Sequence, residues 1–220
     1  MAVNCGVSFG LCAMRVTKLD VDGNVLNETG NSYVSDKAVT INFNPNIETG
    51  NTFSRRNGCG CSLARFKSKD VFNWWEFTFE DGALEPELEA MMLNEETIVD
   101  GTDVVGVAFG GQDLSCEELE QGVALEFWTK HINGSGLDSF HRYIHWVFPL
   151  TVWQRGDNSA EEDFMANQLT GFSRTNPMWG QGPYGDGPPD GQDISEGGYW
   201  KTNDDLPTAA CVSDDVEPGS

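Results

Sequence analysis

Apolar residues recur at every second position along several stretches of the chain, and a two-residue period predicts strands. Residues 38–43, AVTINF, place Val39, Ile41 and Phe43 on one face. Residues 71–79, VFNWWEFTF, set Phe72, Trp74, Glu76 and Thr78 against Val71, Asn73, Trp75, Phe77 and Phe79. Residues 14–21, MRVTKLDV, run into the turn residues Asp22-Gly23-Asn24 and then Val25 and Leu26, which predicts a hairpin. Residues 103–109, 122–130 (GVALEFWTK) and 142–153 (RYIHWVFPLTVW) complete the strand set. Pro149 lacks a ladder donor, so the last of these lies at an edge or is bulged there.

One stretch has helical spacing instead. In residues 85–93, EPELEAMML, Pro86 suits the first turn and the acids suit a helix N-terminus. Leu84, Leu88, Met91 and Met92 share a face that should pack on a sheet. Ser115-Cys116-Glu117-Glu118 has the form of a capping box before the strand at 122.

The segments between these elements differ in kind. Residues 44–69 read as a long inter-strand loop, a length usually reserved for function. Residues 180–220 are dense in Gly, Pro, Asp and Ser and read as an extended arm or tail. The expected organisation is an N-terminal arm over 1–13, a β domain over 14–179, and the C-terminal arm over 180–220. The expected fold class is mainly β: a β-sandwich or small barrel with one flanking α-helix.

Charge sharpens this picture. The 220 residues carry 35 acids and 13 bases, for a net charge of −22. Residues 1–70 hold eight bases and six acids, residues 71–154 two against sixteen, and residues 155–220 three against thirteen. Such a field repels nucleic acid and anionic membranes, which argues against a conventional DNA binder. Five of the bases (Arg55, Arg56, Arg65, Lys67 and Lys69) crowd into the long loop, where Glu48 is the only acid between residues 48 and 69. No apolar run approaches the ~20 residues that span a bilayer. The first sixteen residues lack a basic n-region, so folding in a cytoplasm with six free thiols is expected, and the sequons at Asn27 and Asn133 carry little weight.

Catalytic and metal motifs are weak. Cys59-Gly60-Cys61 has no second ligand pair for a structural zinc, since the other cysteines are scattered singly. His141 and His145 are four apart, but on a strand that separates them by ~13 Å. Glu126 beside Trp128, or Glu76 beside Trp74 and Trp75, would suit a glycan site only if those rings were exposed. Asp20-Val21-Asp22-Gly23-Asn24 lacks the terminal acid of a calcium loop and reads as a turn. The residues therefore predict no catalytic site, no metal and no cofactor.

The succession of features carries a resemblance. MRVTKLDVDGNVL is followed by AVTINFNPNIETGNTFSRRNGCGC, the aromatic strand FNWWEFTFEDG and the acidic helix EPELEAMML. Then comes YIHWVFPLTVWQRGDNSAEEDFMANQLTGFSRTNPMWGQGPYGD. This order, over most of residues 13–186, resembles the major tail proteins (tail tube proteins) of long-tailed, non-contractile bacteriophages, particularly those infecting actinobacteria.

The resemblance implies a non-enzymatic virion protein assembled in the host cytoplasm. Six copies would form a ring, and rings would stack into a tube that conducts DNA without binding it. Partners would be further copies of the chain and the tape measure, tail terminator and distal tail proteins. The 44–69 segment would reach the neighbouring ring, with Arg55, Arg56, Arg65, Lys67 and Lys69 meeting acidic surface around residues 80–103 or 113–126. The alternatives are a carbohydrate-binding β-sandwich, such as a virion adhesin, and the inner tube of a contractile injection system.

Overall fold

The computed structural model describes residues 6–26, 30–82, 85–109, 122–133, 142–156, 159–160 and 165–207. In chain order the elements are β1 (Gly6–Lys18), β2 (Ser32–Ser35), β3 (Ala38–Glu48), β4 (Thr52–Arg56), β5 (Ser62–Lys67), β6 (Val71–Asp81) and α1 (Pro86–Leu93). They continue with β7 (Glu96–Asp100), β8 (Asp103–Ala108), β9 (Val123–Asn133), β10 (Tyr143–Arg155), β11 (Ser159–Ala160), β12 (Met165–Arg174) and β13 (Gly198–Thr202). The described residues are mainly β with one helix, as the alternation predicts.

The principal sheet is antiparallel in the order β2-β1-β9-β10-β12-β6-β3. β10 is a central strand: β9 pairs one edge, while β13 and β12 share the other, β13 along Tyr143–Val147 and β12 along Leu150–Arg155. Pro149 falls where the β9–β10 register shifts, so the missing donor is absorbed by a bulge.

The sheet curls on itself. Phe43 of β3 packs against Phe127, Trp146 and Phe148 of β9 and β10, with ring centroids 5.1–5.8 Å apart. Met14, Val16, Phe77, Phe79, Leu125 and Trp153 fill the enclosed side, and Leu88, Met91 and Met92 of α1 complete it. The predicted helical face is therefore the buried one, although Leu84 lies outside the described residues. Pro86 opens the helix with Glu87 and Glu89 in its first turn, and Asn94 closes it in the left-handed conformation (φ 53°).

The opposite face of β1, β9 and β10 is buried as well. Leu19, Ala124 and Val147 pack there under Trp179 and Ile194. This explains why Gly122–Trp128 is buried at every position and shows no alternation. It also corrects the arm expected over 180–220. Residues 180–207 lie on the sheet and supply β13, because Trp179, Ile194 and Trp200 provide apolar anchors that a Gly/Pro-rich composition conceals.

Two further boundaries change. Residues 6–13 belong to β1, paired with β9 through two register shifts, and are not an arm. The 44–69 connection is not a loop: it finishes β3 and then forms the β4–β5 hairpin. Both escape a periodicity reading because the first is interrupted by Gly10 and the second buries neither face. The hairpin expected at Asp20–Asn24 is present, with the Asp20 carboxylate accepting from the Asp22 and Asn24 amides at 2.9 and 2.8 Å, and Leu19 bridging Val25. The capping box at Ser115 lies outside the described residues.

Candidate assembly surface

β3 and β6 pair from Ala38–Asp81 out to Glu48–Val71, and their outer ends leave the core. Asn44, Pro45, Ile47 and Glu48 are exposed, as are Val71, Phe72, Asn73 and Trp74. Beyond this ribbon β4 and β5 continue as a separate two-stranded sheet in which every residue from Asn51 to Lys67 is exposed.

The junction between ribbon and hairpin is fastened by polar contacts. The Gly50 amide donates to the Asp70 carboxylate at 2.9 Å, and Lys67 Nζ lies 3.0 Å from Asp70 Oδ1. These two donors, the Gly50 N–H foremost, hold the Asp70 carboxyl below its ordinary range. Ser68 donates to the Asn51 carbonyl through its backbone (3.0 Å) and its hydroxyl (3.2 Å). A Cβ at Gly50 would collide with the Ser68 carbonyl, so the strands approach there as only glycine permits.

The tip is equally defined. The Asn57 side-chain oxygen accepts from the amides of Cys59 (3.1 Å) and Cys61 (2.8 Å), while Gly60 takes φ +82°. Both thiols are free and exposed, so Cys59-Gly60-Cys61 is turn structure.

Register sorts the side chains. Phe53 opposes Phe66 and Arg55 opposes Ala64 on one face, while Thr52 opposes Lys67 and Ser54 opposes Arg65 on the other. The predicted cations Arg55, Arg56, Arg65 and Lys67 thus lie on this projecting hairpin, with Lys69 exposed at its base. Among the described residues Lys67 alone of the five has an ion-pair partner. Sequence reasoning missed the exposed Phe53, Leu63 and Phe66 beside them, because apolar residues in a supposed loop gave no period to read.

A second exposed hairpin carries the opposite charge. β7 and β8 pair from Glu96–Ala108 to Asp100–Asp103 around a two-residue turn with Gly101 at φ +68°. Glu96, Asp100 and Asp103 surround the exposed Ile98, Val99 and Val105, and residues 95–108 contain no base.

A third group of charges is buried. On the outer face of the sheet, Arg15 donates from Nε to Glu126 Oε2 (2.7 Å) and from Nη2 to Glu126 Oε1 (2.8 Å) and Asp186 Oδ2 (2.7 Å). Its guanidinium lies between the rings of Tyr184, 3.6 Å from the centroid, and Trp128, 5.2 Å away. Burial would raise the Glu126 carboxyl, but the Arg15 charge and hydrogen bonds from His145 and Arg15 hold it at about 2. Burial and the neighbouring Glu126 raise the Asp186 carboxyl. Glu126, His145 and Asp186 approach closely enough to suggest a cation site, yet the Arg15 guanidinium already bonds both carboxylates there.

His145 is not the ordinary polar strand residue that its spacing from His141 suggests. It is buried, with Nε2 3.1 Å from Glu126 Oε1 and its ring stacked 4.2 Å from Trp128. His141 lies outside the described residues. Of the rings considered for a glycan site, Trp128 is buried, Trp75 packs edge-on to Phe43, and Trp74 keeps 39% of its surface exposed. Among the described residues no helix is long and apolar enough to cross a membrane. No protein-family model matches the chain, and no curated protein is similar to it.

Proposed function

We propose that this chain is a structural virion protein, the subunit of a phage tail tube, which assembles from stacked hexameric rings and conducts DNA without binding it. The observation that carries this reading is the β4–β5 hairpin. A two-stranded sheet with neither face covered is marginal in water, and this one exposes Phe53, Leu63 and Phe66 at its surface. Such an element gains its stability from a partner. The resemblance to tail tube proteins implies that the partner is another copy of the chain, together with the tape measure, terminator and distal tail proteins at the tube ends. The acidic excess of the remaining surface would keep DNA phosphates from adhering during passage.

The test is negative-stain electron microscopy of the concentrated protein at modest salt. Stacked rings or tubes with a central channel are expected. Monodisperse single subunits at every concentration, combined with saturable glycan binding lost on Trp74→Ala, would replace this reading with the carbohydrate-binding one.

A further inference from the structure

Resting on the self-assembly reading, we infer that the acceptor for the basic β4–β5 hairpin is the acidic β7–β8 hairpin of a second copy. Within residues 80–126, the acidic stretch that the resemblance sets against the basic hairpin, few carboxylates are available. An acceptor must offer carboxylates that are exposed and not already engaged. Glu126 is buried against Arg15, and Asp81 is buried. Glu85 is buried and accepts from Tyr33, Ser35 and Lys37. Glu89 and Glu95 both pair with Arg155. Between Glu80 and Glu126, the described carboxylates that are exposed and have no ion-pair partner are Glu96, Asp100 and Asp103, and all three lie on β7–β8.

The two hairpins also match in kind. Residues 51–69 carry five cations and no acid, and residues 96–108 carry three acids and no base. Each presents three large exposed apolar side chains among its charges: Phe53, Leu63 and Phe66 on one, Ile98, Val99 and Val105 on the other. Strand alternation sets Ile98 between Glu96 and Asp100 on one face of β7, and sets Arg55 beside Phe53 and Phe66 on one face of the basic hairpin. Bringing these surfaces together buries apolar area while opposite charges flank it, which fixes register and rejects wrong docking. Because donor and acceptor are different patches of one chain, a copy that accepts a hairpin still offers its own to a third, so the contact can propagate along a stack as a heterologous interface.

Charge reversal in the full-length chain tests this. Arg55→Glu/Arg56→Glu/Arg65→Glu and, separately, Glu96→Lys/Asp100→Lys/Asp103→Lys should each lower self-association at low salt at least about tenfold, since like charges brought together cost several kcal/mol. Sedimentation velocity reads the association, and circular dichroism establishes that each variant is folded. An equimolar mixture of the two variants should recover association, because each variant's hairpin then finds an oppositely charged acceptor on the other. If the acidic-hairpin variant assembles like the unmodified chain while the basic variant does not, the acceptor lies elsewhere and self-assembly stands. Recovery that fails in a mixture of folded variants overturns the pairing as well. An unmodified chain that never self-associates overturns both the pairing and the proposed function.

Discussion

Phe53 and Phe66 sit directly opposite one another across the β4–β5 ladder, yet 63% and 64% of their surfaces stay open to water. Directly opposed aromatic side chains stabilise a hairpin modestly, by roughly 0.2–1 kcal/mol. Their larger value lies in what they can bury against a partner. Phe53→Ser/Phe66→Ser should therefore change the subunit's urea midpoint little, while self-association by sedimentation falls sharply. An equal loss in folding stability and association would show the pair to be part of the subunit's own core.

The buried ionic group behaves differently. Arg15→Met leaves Glu126 and Asp186 without their cation in a buried setting, a change that typically costs about 3–5 kcal/mol. With urea slopes of roughly 1–3 kcal/mol per molar, the midpoint should fall by at least about 1 M. Arg15→Met/Glu126→Leu should recover part of that loss, because it removes the uncompensated charge. Equilibrium urea unfolding of the three chains measures both effects.

Acid should act on the same group with a definite sign. The Glu126 carboxyl titrates at about 2 in the fold against 4.5 as a free side chain. Its ionised form therefore contributes stability that is complete above pH 4.5 and disappears as the pH falls towards 2. The stability gap between the unmodified chain and Glu126→Gln should narrow across that window. Asp186 is shifted upward and works in the opposite direction, favouring the fold as it takes up its proton. A gap that widens on acidification would contradict the Arg15–Glu126 assignment.

The cysteines offer a chemical check on the hairpin tip. Cys59 and Cys61 are exposed, whereas Cys12 is half-buried with its thiol raised by burial. An exposed thiol forms thiolate, the reactive species, more readily than a buried one. The Cys59→Ser/Cys61→Ser variant should lose two fast-reacting equivalents in a thiol titration with an aromatic disulfide reagent. The fast phase should also slow in assembled protein if the tip is covered.

Legibility in the sequence followed burial. Ile41 and Phe43 on β3, and Phe77 and Phe79 on β6, lie on strands with one face in the core, and their alternation is plain in the sequence. Leu88, Met91 and Met92 reveal the helix for the same reason. β4, β5 and β7 are exposed on both sides, so no burial pattern exists to print a period on them. β12 was hidden in another way: from Gln168 to Arg174 its fully buried apolar residue is Leu169, and Gly171 takes a position where the Trp153 ring leaves no room for a Cβ.

Within the candidate site, the clustering of five cations was visible, but their apolar neighbours and the β-ladder that presents them were not. The Arg15–Glu126 pair joins residues 111 apart, which no local pattern can announce. A usable hint existed nonetheless. Glu126 interrupts GVALEFW and Arg15 interrupts LCAMRV, and a charge in the middle of an apolar strand needs a buried partner.

The way the outer face is covered bears on the order in which the subunit matures. β1 holds Arg15, but the side chains that seal it, Tyr184 and Asp186, lie about 170 residues later, and β13 follows them into place beside β10. During synthesis the centre of the sheet must therefore wait with one side wet until the chain has been made through Thr202. Pairings so distant in the chain carry a loop-closure cost that slows their formation. A nascent chain that already includes residues 51–69 is still an unfinished subunit. The dependence separates the moment when the hairpin's residues are made from the moment when the outer face of the sheet can be covered.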